Sequence, residues 1–203
     1  TKIADAVFGT GNASNYDISY EDGNFAITPR DLTLRAGNKT RIYGTENSTA
    51  VYTGGTSKFR ADAATTTTGL ANGDRISSIM EAIDPTAMVT TDAGTAGLKT
   101  KIANAVFGTG NANNYDVRYE DGSFAITPRD LTLRAGDKTR IYGTENSTAV
   151  YTGGTSKFRA DVATATTGLV NGDAVADVTE STNATRTTNV GASGLKTQIA
   201  NAT

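Results

Sequence analysis

The chain has 203 residues, 37% hydrophobic and 20% charged, with 19 basic against 21 acidic side chains and a formal net charge of −2. A sequence pI near 5.2 gives no electrostatic case for a nucleic-acid partner, and no run of 18 apolar residues is present to enter a membrane. The absence of His and Cys removes the usual zinc sites, the Ser-His-Asp and Cys-His nucleophile systems and any disulfide framework.

Leu, Ile, Val and Phe account for only 36 residues, and Thr alone supplies another 36. That balance predicts a thin core and sheets whose wet faces carry β-branched hydroxyls. Disorder is disfavoured, because it pairs low hydrophobicity with high net charge. The chain also repeats itself. Thr1-Lys2-Ile3-Ala4 recurs as Thr100-Lys101-Ile102-Ala103, the match runs to Asp74 over Asp173, and a third copy opens at Thr197-Gln198-Ile199, a period of about 99 residues. Only residues 75–97, against 174–194, have diverged and changed length, which reads as the tolerant loop region of the unit.

In chain order, residues 16–28 predict a hairpin turning at Asp22-Gly23, with Tyr20 opposite Phe25 and Ile18 opposite Ile27. Residues 115–127 repeat it around Asp121-Gly122, pairing Tyr119 with Phe124 and Val117 with Ile126, and Pro29 and Pro128 end the strands. Alternation predicts further strands over residues 31–36, a short run ending at Ile42-Tyr43-Gly44, residues 50–53 and residues 57–61, with a turn at Asn72-Gly73. Ile76, Ile79, Met80 and Ile83 instead fall at helical spacing, which suggests a helical turn or two over residues 75–83. Residues 98–107 fit either a helix or a strand.

Taken together, Asn15-Tyr16-Asp17-Ile18-Ser19-Tyr20, the Phe25-Ala26-Ile27-Thr28 strand, Leu32-Thr33-Leu34 and Arg41-Ile42-Tyr43-Gly44-Thr45 resemble the MBG repeat of the YGX type. Gly69-Leu70-Ala71-Asn72-Gly73-Asp74 is similar to that family's central turn, and Tyr142-Gly143-Thr144 with residues 168–173 gives the second set. The sequence departs from the family's pattern at Gly97-Leu98-Lys99, where a Gly-Thr-Tyr strand start is usual. The resemblance implies tandem immunoglobulin-like β-sandwich repeats of about 99 residues forming an elongated rod in a bacterial surface adhesin or secreted exoprotein, with no catalytic residue to carry over.

The expected structural unit is out of phase with the visible repeat: residues 1–29 form the C-terminal hairpin of a preceding repeat, residues 30–128 a complete repeat, and residues 129–203 the N-terminal part of the next. The leading functional expectation is an extracellular stalk or spacer carrying a binding tip. Copying a whole unit suits a length device, and the lack of Cys suits export in the unfolded state. The alternative is an array that itself binds glycan, with Tyr52 and Tyr151 beside Gly54-Gly55 and Gly153-Gly154 as stacking platforms, or that packs into a filament.

Catalysis is not expected. The acidic pairs Glu21-Asp22 and Glu120-Asp121 sit at turns without a partner acid or base. No catalytic, metal or cofactor-binding residue and no cofactor is assigned, and neither nucleic acid nor membrane insertion is expected. The expected partners are neighbouring repeats and a second molecule, whose residues 16–28 would complete by strand addition the module begun at Leu131. Asn-x-Ser/Thr triplets at Asn12, Asn38, Asn47, Asn146, Asn183 and Asn201 leave glycosylation open, as Asp and Asn near loop glycines leave Ca²⁺ open.

Overall fold

The computed structural model of the protein describes residues 1–55, 57–153 and 156–203. Among these the architecture is all-β: fourteen strands, four single turns of 3-10 helix and no α-helix. It fits a β-sandwich. The strands are β1 (Arg30–Ala36), β2 (Lys39–Ile42), β3 (Val51–Tyr52), β4 (Phe59–Ala61), β5 (Arg75–Ile83), β6 (Lys99–Thr109), β7 (Tyr115–Glu120) and β8 (Gly122–Thr127). The second copy repeats them as β9 (Leu133–Ala135), β10 (Lys138–Thr139), β11 (Val150–Tyr151), β12 (Phe158–Ala160), β13 (Thr179–Thr182) and β14 (Thr197–Ala200).

Five strands associate in the order β3-β2-β8-β6-β5 and three in the order β4-β1-β7. In the second copy the described residues form pairs: β10-β11, β12-β9 and β13-β14. The strands of the first copy follow from alternation. Leu32 and Leu34 are fully buried on either side of Thr33, and Phe124 and Ile126 are 3% exposed on either side of Ala125.

Four sequence expectations are corrected. Residues 115–127 do not form a hairpin: β7 and β8 lie in different sheets, and the chain changes sheet at Asp121. Gly122 is therefore needed for close approach and not for a turn with positive φ. A Cβ there would overlap the Thr100 hydroxyl and the Gly37 carbonyl, and Thr100 Oγ1 donates to that carbonyl at 2.5 Å, in a wholly buried position. The first copy, residues 16–28, forms no strand at all. It is exposed, held by hydrogen bonds between Gly23 and Thr1 and from the Ala6 amide to the Tyr20 hydroxyl.

The suggested helix over residues 75–83 is the nine-residue strand β5. Its inward positions are Ile79, Glu81 and Ile83, and Met80 points to water. A carboxylate on the inner face hides the period-2 pattern, so helical spacing seemed the better fit. This segment is also not the free loop that its divergence suggested; an edge strand tolerates substitution because only one of its sides is paired. Residues 98–107 resolve as strand: Leu98, Thr100 and Ile102 are buried, and alternation is broken at Asn104, where φ is +51°. Asp5 and Asn201 hold the same place in their copies with φ of +54° and +50°. The turn expected at Asn72-Gly73 forms, with both residues at positive φ, and recurs at Asn171-Gly172.

The chain clusters into two compact units: Thr1–Leu34 with Ala61–Ser78 and Ala105–Arg118, and Arg35–Arg60 with Ile79–Asn104 and Tyr119–Thr203. In the first, Arg30 gathers the carbonyls of Thr65, Thr66, Thr68 and Gly69, and the Tyr115 hydroxyl donates to Asp74 at 2.6 Å. The second holds the five-stranded sheet's core of Ala87, Leu98, Phe124 and Ile126. It also holds residues 129–203.

Candidate functional site

Within the second unit, β8 lies between β2 and β6. It is parallel to β2, with Lys39 opposite Phe124, Thr40 opposite Ala125, Arg41 opposite Ile126 and Ile42 opposite Thr127, and antiparallel to β6, with Lys99 opposite Ser123 and Thr100 opposite Gly122. The Ser123 amide donates to Asn38 Oδ1 at 2.9 Å. Arg41 is 3% exposed, lies over the Phe124 ring and donates to Asn47 Oδ1 and the Met88 carbonyl. A buried guanidinium is tolerated here because its donors are occupied and an aromatic face lies against it.

The second copy keeps the flanking strands, and among the described residues no strand lies between them. Arg140 again bonds Asn146 and the Thr185 carbonyl, and Thr197 Oγ1 donates to the Gly136 carbonyl at 2.7 Å as Thr100 does to Gly37. Between β10 and β14, however, an open groove of about 890 Å³ is lined by Lys138, Arg140, Tyr142, Leu195 and Thr197, among others. Leu195 is 44% exposed where Leu98 is 6% exposed, and Ile141 is 78% exposed.

Both copies carry a buried charge cluster that the sequence did not reveal. Lys39 Nζ lies 2.7 Å from Glu81 Oε2 and 4.3 Å from the centre of the Tyr52 ring, and the Tyr52 hydroxyl donates to Glu81. Lys138, Tyr151 and Glu180 repeat the arrangement. Burial opposes the charge on Lys39, but hydrogen bonds to Glu81 and Tyr52 outweigh it and raise its pKa above the usual lysine value. Burial, seconded by Glu81, raises the Tyr52 phenol, and the bond to Glu180 raises Lys138. The signal was available: Glu81 and Glu180 are 99 residues apart inside the stretch that reads as diverged. Tyr52 and Tyr151 are thus turned into charge clusters and are not presented as stacking platforms. Gly154 of the second proposed platform lies outside the described residues.

Glu21, Asp22 and Asp121 are exposed, and Glu120 pairs with Arg35 at 2.7 Å on the surface. Among the described residues, no acid and base converge around them. The Asn side chains of the glycosylation triplets act mainly on backbone: Asn12 caps a 3-10 turn, Asn47 and Asn146 bind the Ala87 and Ala184 carbonyls, and Asn183 bridges Gly194 and Lys196.

The junction between consecutive copies also lies in the second unit, and it joins the two motifs that stood out in the sequence. The Tyr43 hydroxyl donates to Asp173 Oδ2 at 3.0 Å, Asn171 Nδ2 donates to the Val89 carbonyl at 3.3 Å, and Gly44 faces Val170 so closely that a Cβ would overlap its side chain. Arg129 ties this region down, donating to the Tyr43, Thr167 and Gly168 carbonyls. Tyr-Gly of one copy therefore seats the Gly-Leu-x-Asn-Gly-Asp turn of the next.

This arrangement defines a class, an all-β protein whose repeated sequence motifs meet one another. Residues 131–198 match the family model of the MBG domain (YGX type), so this segment is similar to that repeat. Neither the comparison with curated proteins nor that with solved structures gives a match.

Proposed function

We propose that the chain is part of a non-catalytic stalk of a bacterial surface or secreted adhesin, in which immunoglobulin-like repeats of about 99 residues run as an elongated rod and project a separate binding tip. The module in this reading is residues 30–128, with residues 129–203 beginning the next. The observation that carries it is the junction: the Tyr43 hydrogen bond to Asp173 and the Gly44 contact with Val170 join one copy to the next, and of these residues Tyr43, Gly44 and Asp173 recur as Tyr142, Gly143 and Asp74. A spacer needs such a joint, because its reach depends on successive modules keeping one angle. The near-identity of the copies supports the same reading, since a binding or catalytic constellation needs to occur only once.

The chain is free of Cys, so spin labels at Ser48→Cys and Ser147→Cys, equivalent exposed positions in consecutive copies, are unique. Pulsed electron–electron distance measurement is expected to give one narrow distribution, which broadens in Tyr43→Phe with Gly44→Ala. A distribution already broad in the parent chain contradicts the spacer.

A further inference from the structure

Two stretches of the second unit that are remote in sequence run side by side at a constant offset. Lys39, Thr40, Arg41 and Ile42 pair in parallel with Phe124, Ala125, Ile126 and Thr127, each 85 positions from its partner. The same offset holds before the strands begin: Asn38 Oδ1 accepts from the Ser123 amide at 2.9 Å, and Arg35 Nε lies 2.7 Å from Glu120 Oε2. It continues past them, where the Tyr43 amide donates to the Thr127 carbonyl at 2.9 Å, Thr127 Oγ1 to the Arg41 carbonyl at 3.2 Å and Arg129 Nη1 to the Tyr43 carbonyl at 3.2 Å. Between the two parts, Gly122 approaches the Gly37 carbonyl too closely to admit a Cβ. Residues 35–43 and 120–129 are thus one parallel ribbon, bonded from end to end.

From this register we infer that the ribbon of residues 35–43 and 120–129 is a mechanical clamp, a shear joint that carries tension applied along the chain. Tension reaches residues 35–43 from their N-terminal side and residues 120–129 from their C-terminal side. Because the two stretches are parallel, it draws them lengthwise past each other, and the evenly spaced bonds between them are strained together. An antiparallel pair at the same places in the chain would instead be peeled apart from one end, one bond at a time. The pairs β2-β3, β8-β6 and β6-β5 join strands that lie within residues 39–127, so they stay off the load path until the clamp opens. The 85 residues from Arg41 to Ile126 are held to one strand spacing of about 5 Å. Extended, they span about 290 Å at about 3.4 Å each.

Both pulled ends of the ribbon are tied. Upstream, Arg35 holds Glu120 through two contacts, Nε to Oε2 and Nη2 to Oε1. Downstream, Arg129 spreads the load by donating also to the Thr167 and Gly168 carbonyls. Resistance to force is a matter of the rate of opening and not of equilibrium stability, so exposed bonds of little thermodynamic weight still count when they break together. A clamp of this kind lets a stalk bear a pull on its tip; that use rests on the stalk reading, whereas the clamp itself is a property of the ribbon.

The test is single-molecule force spectroscopy on the full chain in two geometries. Held by its two termini, the chain loads the ribbon in shear. Held by its C-terminus and by a handle on Ser48→Cys, an exposed position just past β2 in a chain otherwise free of Cys, it pulls the same ends of both stretches apart. The expected result under terminal tension is one abrupt lengthening of about 290 Å, at a force severalfold higher than opening from Ser48 requires. Asn38→Ala with Thr127→Val, which removes two of the cross-strand bonds, should lower the terminal force and leave the Ser48 force nearly unchanged. Equal forces in the two geometries, opening under terminal tension by several short steps, or an equal loss of force in both geometries in the double variant overturns the inference. The spin-label distance between Ser48→Cys and Ser147→Cys is independent of these forces, so a failed clamp and a failed stalk are told apart.

Discussion

The two copies present nearly the same sequence in two sheet arrangements. Around β2 the sheet is continuous from β3 to β5; around β10 it falls into pairs, β10 is two residues long where β2 is four, and the core opens. The sequence of β2 recurs in β10 and that of β6 nearly so in β14, where Gln198 stands for Lys101, but among the described residues no counterpart of β7 or β8 pairs with the second copy. An alternating pattern supplies strands in search of partners, and the partner decides whether they become a core.

Substitutions at equivalent positions turn this contrast into measurements. The largest effect belongs to Phe124→Ala, expected to cost about 4 kcal/mol by urea unfolding as a buried aromatic lost from a packed core. Phe25→Ala, at the same place in the repeat but exposed, should change the monomer by less than about 0.5 kcal/mol. Equal costs would remove the distinction between the two regions.

Next comes the charge cluster. Glu81→Gln strands Lys39 on a largely buried site and is expected to cost about 3 kcal/mol, with a smaller cost for Glu180→Gln because the groove admits water beside it. The same cluster sets a pH dependence. Lys39 and Tyr52 have folded pKa values above their ordinary 10.5 and 10.0. Groups raised on folding contribute stability that is complete below the ordinary value and lost as pH rises through the folded one. Thermal melts should therefore show no loss from this cluster up to about pH 10 and a decline above it, flattened in the Glu81→Gln variant. A cluster-dependent loss between neutral pH and that point would contradict the assignment.

A smaller and sharper comparison is Gly44→Ala with Gly143→Ala. Both glycines have positive φ, 76° and 80°, so each substitution carries a similar backbone cost of about 1 kcal/mol. Only Gly44 also meets Val170, which should add about 1 kcal/mol or more of overpacking. The excess measures the junction. Smallest of all, Glu120→Gln with Asp121→Asn should stay within about 1 kcal/mol, since the Arg35 pair is exposed.

Much of this was legible in the sequence, for reasons that show where reading stops. Strands β1 to β4, the Asn72-Gly73 turn and the burial of Phe124 and Ile126 follow from alternation and turn chemistry, which act over a few residues. The change of sheet at Asp121 was not legible, because Asp-Gly between two alternating runs is the usual mark of a hairpin and the competing partners, β1 and β2, lie some 80 residues away in the chain. Strand β5 was disguised by the inward Glu81, whose partners Lys39 and Tyr52 are equally remote. The junction was half legible: both motifs stood out, but nothing local says that Tyr43 of one copy meets Asp173 of the next.

The central claim is that a repeat closes only when the strand from the following copy lies between its β2-type and β6-type strands. The most direct measurement adds the sequence of residues 107–128 after Thr203, which gives the second copy an equivalent of β8, and follows amide hydrogen exchange at Lys138, Thr139, Arg140 and Ile199 before and after. The account predicts that protection at these amides rises to that of Lys39, Thr40, Arg41 and Ile102. Protection that stays at the level of the unextended chain would contradict it.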